Sequence, residues 1–203
     1  MLNEKCNTCS YSNHLIINSP ILISNKIYQL LPFDQSHPLA LNRIMPVIGL
    51  AQSLNWLDES QYKESSLASV DMLARYHNID YVEAVLSAEN NRCIPGTLGK
   101  RFNLGRHGNS YFSKIFTRPA TTAGASILAG QLLAENEEGI IFSPAGGNHH
   151  AKKNQAAGFC IFNDPVLGIL SMLDNGMKKV LYVDLDAHHG DGVQEAFQHD
   201  DRV

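Results

Sequence analysis

Apolar residues recur every three or four positions in two stretches of the N-terminal half, and this spacing predicts helices over 39–54 and 66–76. Asn78 stands in front of a third such stretch and is placed to cap the helix that it predicts. Upstream, the apolar runs at 15–17 and 21–23 are broken by Asn, Ser and Pro and are typical of short strands. Three predicted helices therefore follow an irregular start.

The pattern becomes more regular in the second half, where helices and strands alternate. The predicted elements are a helix of small residues from Pro119 to near Glu135, a strand over 139–142, an apolar helix from Pro165 through Leu173, and a buried strand over 179–183. Residues 91–117, rich in Gly, Asn and Arg, are predicted to form a long loop before them. A strand, a helical crossover and a second strand indicate a parallel α/β sheet, in which sites form at the carboxyl ends of strands.

Composition then narrows the class of protein. The 203 residues are 44% apolar and 18% charged with a formal net charge of −4, which is typical of a globular domain. No apolar run approaches the roughly 20 residues of a membrane span, and the first residues lack the pattern of a secretory signal. Mild acidity argues against a nucleic-acid-binding surface. We therefore expect a cytoplasmic protein whose partners include neither a membrane nor a nucleic acid, and we leave its oligomeric state open.

Cysteine usage adds little to this picture. Without a secretory signal, the four cysteines are expected to be reduced thiols. Cys6 and Cys9 form a CxxC pair, but no second pair of metal ligands accompanies it. A loose N-terminal segment is therefore the plain interpretation of this pair, and a metal or redox role is the alternative.

Candidate chemistry is concentrated behind the two predicted strands of the second half. His149 and His150 follow the first strand, after two glycines. Asp184, Asp186 and His188 follow the second strand at a spacing of two, so that on an extended backbone their side chains project from one face. Taken separately, these are ordinary turn residues. Taken together, carboxylates and imidazoles at the same edge of a sheet are typical of a site for a divalent metal such as zinc.

Three stretches carry a resemblance to a known family. They are Gly146-Gly147-Asn148-His149-His150-Ala151, Gly158-Phe159-Cys160-Ile161-Phe162-Asn163-Asp164 and Tyr182-Val183-Asp184-Leu185-Asp186-Ala187-His188-His189-Gly190-Asp191-Gly192-Val193. In this order they resemble the zinc-dependent histone deacetylase family, which includes bacterial deacetylase-like proteins and acetylpolyamine amidohydrolases. The match is dense from about Ser143 to Phe197 and weaker upstream, at His37-Pro38 and Tyr76-His77.

The resemblance implies a fold and a domain organisation. It implies an α/β, three-layer fold of the arginase/deacetylase type with a mostly parallel sheet. Residues 1–203 would form the N-terminal part of a single histone-deacetylase-like domain, with the C-terminal strands of the sheet missing from this chain.

It also implies a role for individual residues. Asp186 and His188 match two of the three zinc ligands, and His149 and His150 match the tandem histidines of the active site. Asp184 and Asp191 match the carboxylates that orient these histidines. Gly158 and Phe159 match the channel for the acylated amine, and Asp184 also matches part of a potassium site. His150 would act as the general base on a zinc-bound water.

Two family groups have no counterpart in the sequence. The third zinc ligand, an Asp, and the transition-state-stabilising Tyr both lie further downstream in the family than Val203. Catalytic zinc sites use three protein ligands, so we expect the 203-residue chain to be an incomplete, inactive or weakly active fragment. His107 stands where many eukaryotic members place an acidic rim residue. The expected substrate is therefore an acetylated lysine peptide or an acetylated small amine.

Two other interpretations stay open. A ureohydrolase-like enzyme with two manganese ions would share the Asp186-Ala187-His188 stretch. It would also need an Asp two residues after that His, where Gly190 stands, and an Asp in place of Asn148. The other interpretation is a non-catalytic, truncated gene product.

Overall fold

A computed structural model of the chain describes residues 19–30, 42–136 and 138–203. The predicted strand at 15–17, the CxxC pair, His37-Pro38 and the start of the first predicted helix lie outside the described residues. The strands are β1 (Ile21–Ser24), β2 (Tyr62–Glu64) and β3 (Ile141–Phe142). The α-helices are α1 (Ile44–Ser53), α2 (Val70–Leu73), α3 (Ile79–Asn90), α4 (Gly96–Phe102), α5 (Thr117–Ala134), α6 (Asp164–Asp174) and α7 (Asp191–Phe197).

The three described strands form one parallel sheet in the order β2-β1-β3, so that β1 is central. Leu22 faces Tyr62 on one side and Phe142 on the other. All four residues of β1 are buried, as expected for a parallel strand covered on both faces, and this explains its unbroken apolar run. The predicted strand at 21–23 and the parallel α/β sheet are thus confirmed.

The main core lies among the helices α2 to α7, and a smaller cluster lies between the sheet and α5. In the smaller cluster, Ile21 and Ile23 of β1 pack against Ala125 of α5. The helix α6 packs against α5 in the main core. The two helices approach closely because both carry small residues at the contact. A Cβ on Gly130 would lie 2.6 Å from the carbonyl oxygen of Gly168. The small-residue composition of α5 therefore sets the distance between these helices.

One predicted helix is shorter in the structure, and a second is present but lacks the side-chain cap. The helix predicted over 66–76 is only α2, because the chain before it is extended and the Ala68 N–H donates to the Ala120 carbonyl on α5. Asn78 is the N-cap residue of α3, as predicted, but its side chain makes no capping bond. Its backbone N–H instead donates to the Lys153 carbonyl, which ties α3 to the loop that follows the tandem histidines.

The long loop predicted over 91–117 contains α4. Two glycines hid this helix from a propensity argument. Tertiary packing stabilises it, because Phe102 is buried in the main core and Arg101 forms an ion pair with Asp80 of α3. The helix ends at Asn103, which adopts the left-handed conformation that Asn tolerates well.

The buried strand predicted over 179–183 is wrong in both respects. The segment is no strand and pairs with none of β1, β2 and β3, and its backbone bond is from the Val180 N–H to the Arg202 carbonyl. Leu181 is 87% and Val183 65% exposed, whereas Tyr182 packs against the core. The unbroken apolar run 180–183 predicted an element with two packed faces, and among the described residues only one face has a neighbour.

Within the three described ranges, no helix is long and apolar enough to cross a membrane.

Candidate active site

The tandem histidines lie on a tight turn that begins directly after β3. The Gly146 N–H donates to the Ser143 carbonyl at 3.1 Å, and the His149 N–H to the Gly147 carbonyl at 2.9 Å. Gly147 has a φ of +98°, a conformation that L side chains rarely adopt. The turn therefore needs glycine where it bends, and it directs His149 inwards, where the residue is only 6% exposed.

Each histidine is paired with a carboxylate from the segment after residue 183. His149 Nδ1 lies 2.7 Å from Asp184 Oδ2, and His150 Nδ1 lies 2.7 Å from Asp191 Oδ1. The two imidazole centroids are 4.2 Å apart. Because an ionised carboxylate only accepts hydrogen bonds, each Nδ1 carries a proton and donates it, which leaves Nε2 of a neutral ring free to accept one.

The surroundings keep both carboxylates ionised. The hydrogen bonds from His149 and then from the Tyr182 hydroxyl, at 2.7 Å, lower the pKa of Asp184 to about 2. Burial raises the pKa of Asp191, but the hydrogen bond from His150 and the charge of Lys152 outweigh it and leave the pKa below its usual value. Both acceptors thus stay charged at neutral pH.

The predicted metal ligands lie next to these pairs. His149 Nε2 lies 4.0 Å from Asp186 Oδ1, and the ring centroids of His150 and His188 are 6.0 Å apart. The ligand side chains contact each other, because His188 Nδ1 lies 2.8 Å from Asp186 Oδ1. The backbone N–H of His188 also donates to this carboxylate, and this bond is the main reason that the pKa of Asp186 is lowered.

These two residues fit a zinc site in part. A carboxylate and an imidazole on one exposed edge are of the right ligand types. In the part of the chain that the structure describes, however, no three His, Cys, Asp or Glu side chains converge to hold a metal ion. Asp186 and His188 can therefore supply two ligands, and a complete site needs a third from elsewhere.

The predicted channel residues contact the second histidine. Gly158 has a φ of +53°, and a Cβ on it would lie 2.3 Å from Cδ2 of His150. Phe159 also has a positive φ, of 67°, and its N–H donates to Asn109 Oδ1 at 2.9 Å. The turn that contains the exposed His107 packs against the Phe159 ring, since a Cβ on Gly108 would lie 2.6 Å from it. The predicted rim residue therefore lies next to a glycine that contacts the predicted channel wall.

The structure thus brings together every site residue that the sequence suggested: His149, His150, Gly158, Phe159, Asp184, Asp186, His188 and Asp191. Sequence reasoning missed the residues that support them. Asp164 is buried behind the histidine turn, and Asn109 lies behind Phe159. Asn163 and Asp164 end the second stretch that resembles the family, but their position before Pro165 indicates only a helix start and no role in the site. Nothing in the sequence pattern singles out Asn109.

Asn148 distinguishes between a deacetylase and a two-manganese ureohydrolase, the two enzyme classes that would share the predicted ligands Asp186 and His188. Its side-chain Nδ2 donates to Asp164 Oδ1 at 2.7 Å. An amide held in this way faces the protein interior and is no substitute for the carboxylate that a two-manganese ureohydrolase site would need. The site geometry is therefore that of the deacetylase alternative.

The parallel sheet and the paired histidines define an α/β domain of the arginase/deacetylase type. A model of the histone deacetylase domain matches residues 37–203. The chain belongs to the histone deacetylase family.

Curated relatives and solved structures agree with this assignment. The chain is 37% identical to histone deacetylase 6 of Arabidopsis thaliana over 84% of its own length and 36% of the relative's. It is 30% identical to the acetoin utilization protein AcuC of Bacillus subtilis over 87% of its own length and 46% of the relative's. The crystal structure of a histone deacetylase homologue from Aquifex aeolicus matches with a TM-score of 0.83 and 35% identity, over 91% of this chain and 49% of that chain. The chain thus spans half or less of the length of these proteins.

Proposed function

We propose that this chain carries the tandem-histidine half of the active site of a zinc-dependent deacetylase. The reaction would be hydrolysis of the N-acetyl amide of a lysine or of a small, polyamine-like amine. The observation that carries the proposal is the pair of parallel His–Asp hydrogen bonds, both 2.7 Å long, beside a carboxylate and an imidazole suited to zinc. Membership of the histone deacetylase family supports it.

The two histidines have different surroundings and therefore different proposed roles. His150 is the less buried of the two and adjoins Gly158, so its free Nε2 is placed to take a proton from water and return it to the leaving amine. His149 is more deeply buried and stabilises charge that develops beside it. Asp184 and Asp191 hold the rings in orientation and keep the proton of each neutral ring on Nδ1.

Asp186 and His188 would hold the zinc ion, together with a third ligand from outside these residues. When bound, zinc polarises the amide carbonyl and lowers the pKa of a water molecule. Asp184, with the backbone carbonyls of Asp186 and His188, would contribute to a potassium site.

The substrate class follows from the walls beside His150. Gly158 and the Phe159 ring form a narrow, largely apolar surface, which favours a neutral acylated amine over a bare ammonium because burying a charge is costly. Arg106 and His107 lie at the rim, and both are exposed. Because neither of these rim residues is a carboxylate, acetylated small amines are as suitable as substrates as acetylated lysine peptides are.

A chimaera that joins residues 1–203 to the C-terminal half of a deacetylase relative tests the function. We expect zinc-dependent release of acetate from an acetyl-lysine peptide or an acetylated polyamine, and the ratio of the two kcat/KM values identifies the substrate class. The 203-residue chain alone should release little or none, because two ligands hold zinc weakly. A folded, zinc-loaded chimaera that hydrolyses neither substrate would overturn the proposal.

A further inference from the structure

A buried carboxylate lies directly behind the tandem-histidine turn. Asp164, the first residue of α6, is 2% exposed. Its two oxygens accept four hydrogen bonds, from Ser126 Oγ at 2.6 Å, Gly147 N at 3.2 Å, and Asn148 N and Nδ2 at 2.8 and 2.7 Å. Burial raises the pKa of Asp164, and these hydrogen bonds oppose the rise without cancelling it. Three of the four partners are amide N–H groups, which only donate, and the fourth is the Ser126 hydroxyl.

The preceding residue holds the other side of the same turn. Asn163 is fully buried, and its Nδ2 donates to the carbonyls of His149 at 3.2 Å and Ala151 at 2.9 Å. Its Oδ1 accepts the Val166 N–H and so caps α6. Asp164 thus binds amides that precede His149, whereas Asn163 binds carbonyls on both sides of His150.

Close packing brings this pair to the turn. A Cβ on Gly168 of α6 would lie 3.1 Å from the Ser126 carbonyl of α5, so the helices approach closely enough for Ser126 to reach Asp164. On the turn itself, a Cβ on Gly146 would lie 2.8 Å from Asp164 Oδ2. Gly147 is required for its positive φ, and Gly146 is required because a side chain there would occupy the space of this carboxylate.

We propose that Asn163 and Asp164 are positioning residues, which fix the backbone on both sides of the tandem histidines so that the two imidazoles meet Asp184 and Asp191. Neither side chain touches the reacting atoms, and both act through the turn. The inference rests on the proposed function only in giving these histidines a catalytic role. The geometry itself is testable without turnover.

The test is NMR of the 203-residue chain labelled with ¹⁵N-histidine. Hydrogen bonding to a carboxylate moves an imidazole Nδ1–H proton to low field, and Asp184→Asn and Asp191→Asn assign the signals of His149 and His150. In Asp164→Asn, the new side-chain NH₂ group would replace an acceptor and face the N–H groups of the turn or the Ser126 hydroxyl, which are donors in the wild-type chain. We expect both low-field signals to broaden or disappear, with the chain still folded by circular dichroism.

Two variants control for general destabilisation. Asp174→Asn removes an exposed carboxylate from the other end of α6, and Glu89→Gln weakens the start of α5. Both should keep the histidine signals of the wild-type chain. An Asp164→Asn chain that keeps both signals at their wild-type positions contradicts the proposal.

A second variant decides the matter where Asp164→Asn does not fold. Gly146→Ala keeps the carboxylate but displaces it from the turn, and we expect the same loss of signals. Unchanged signals in folded Gly146→Ala overturn the proposal. In the active chimaera, Asp164→Asn should lower kcat and leave KM within about twofold. An inactive chimaera would count against the proposed function, while the histidine signals would still decide the positioning role.

Discussion

At the scale of single residues, His77 is a buried imidazole that hydrogen-bonds to residues packed against the tandem-histidine turn. It is 1% exposed, its Nε2 accepts the Asn163 N–H at 3.0 Å, and its Nδ1–H therefore donates to the Lys152 carbonyl at 3.0 Å. Burial lowers the pKa of His77 from 6.5 to about 4. The neutral ring links the segment between α2 and α3 to Lys152, which follows the histidine turn, and to Asn163, whose side chain holds the turn.

His77 should make the stability of the chain depend on pH. Between pH 6.5 and about 4 the unfolded chain binds a proton at this residue and the folded chain does not, so the free energy of unfolding falls as the pH falls. The shift corresponds to about 3 kcal/mol. Urea unfolding at pH 7 and pH 4 measures it, and a folded His77→Gln control, which does not titrate, should lack this component. An equal pH dependence in both chains would contradict the assignment.

The individual site residues differ in how well the sequence reveals them. His149, Asp184, Asp186 and His188 stand out because each follows a strand-like run and has chemistry unsuited to packing. Asn109 and Asp164 do not, because their importance arises from hydrogen bonds to residues 50 and 16 to 17 positions away. Such contacts exist only after the helices have packed.

At the scale of elements, α5 depends on a cap from another helix. Glu89 of α3 accepts the backbone N–H groups of Phe116 and Thr117, both at 2.8 Å, and the Thr117 hydroxyl. These are the orphan donors at the start of α5, and the negative charge also favours a helix N-terminus.

Removing this charge should therefore destabilise the chain. We expect Glu89→Gln to lower the free energy of unfolding by about 1–2 kcal/mol. Chemical denaturation measures this loss. Glu83→Gln, an exposed position of the same helix, is the matched control and should stay within about 0.5 kcal/mol of the wild-type chain. Equal losses in the two variants would rule out the capping role.

An element could be predicted where local sequence signals stabilise it, and could not where tertiary packing does. The helices α3, α5 and α6 have local signals, namely periodic apolar positions or Pro near the start, and were predicted. The helix α4 contains two glycines and is held by the buried Phe102, so its sequence predicted a loop. The segment 179–183 has the continuous apolar run of a buried strand, but a strand also needs a neighbouring strand to pair with.

At the scale of the whole molecule, the described residues include two groups of exposed apolar side chains. Leu181, Val183 and Leu185 form one group, and Ile140 and Phe142 at the edge of the sheet form the other. Exposed apolar side chains at a sheet edge or grouped along a segment promote association.

Polar substitution on this surface should improve solubility at little cost in stability. We expect Leu181→Lys with Leu185→Lys to raise the concentration at which the chain stays monomeric in light scattering, with an unchanged melting temperature. Leu50→Lys, at another exposed leucine, should have no such effect. Equal gains from the two changes would refute a specific role for this surface.

We propose that His150, held by Asp191 next to the predicted metal ligands Asp186 and His188, moves the proton in amide hydrolysis. Steady-state kinetics of the chimaera with His150→Ala tests it most directly. His199→Ala, an exposed histidine beyond the far end of α7, is the matched control. We expect His150→Ala to lower kcat by about 10²–10⁴-fold with KM nearly unchanged, and we expect His199→Ala to have no effect. A His150→Ala enzyme with kcat within about twofold of the parent would contradict it.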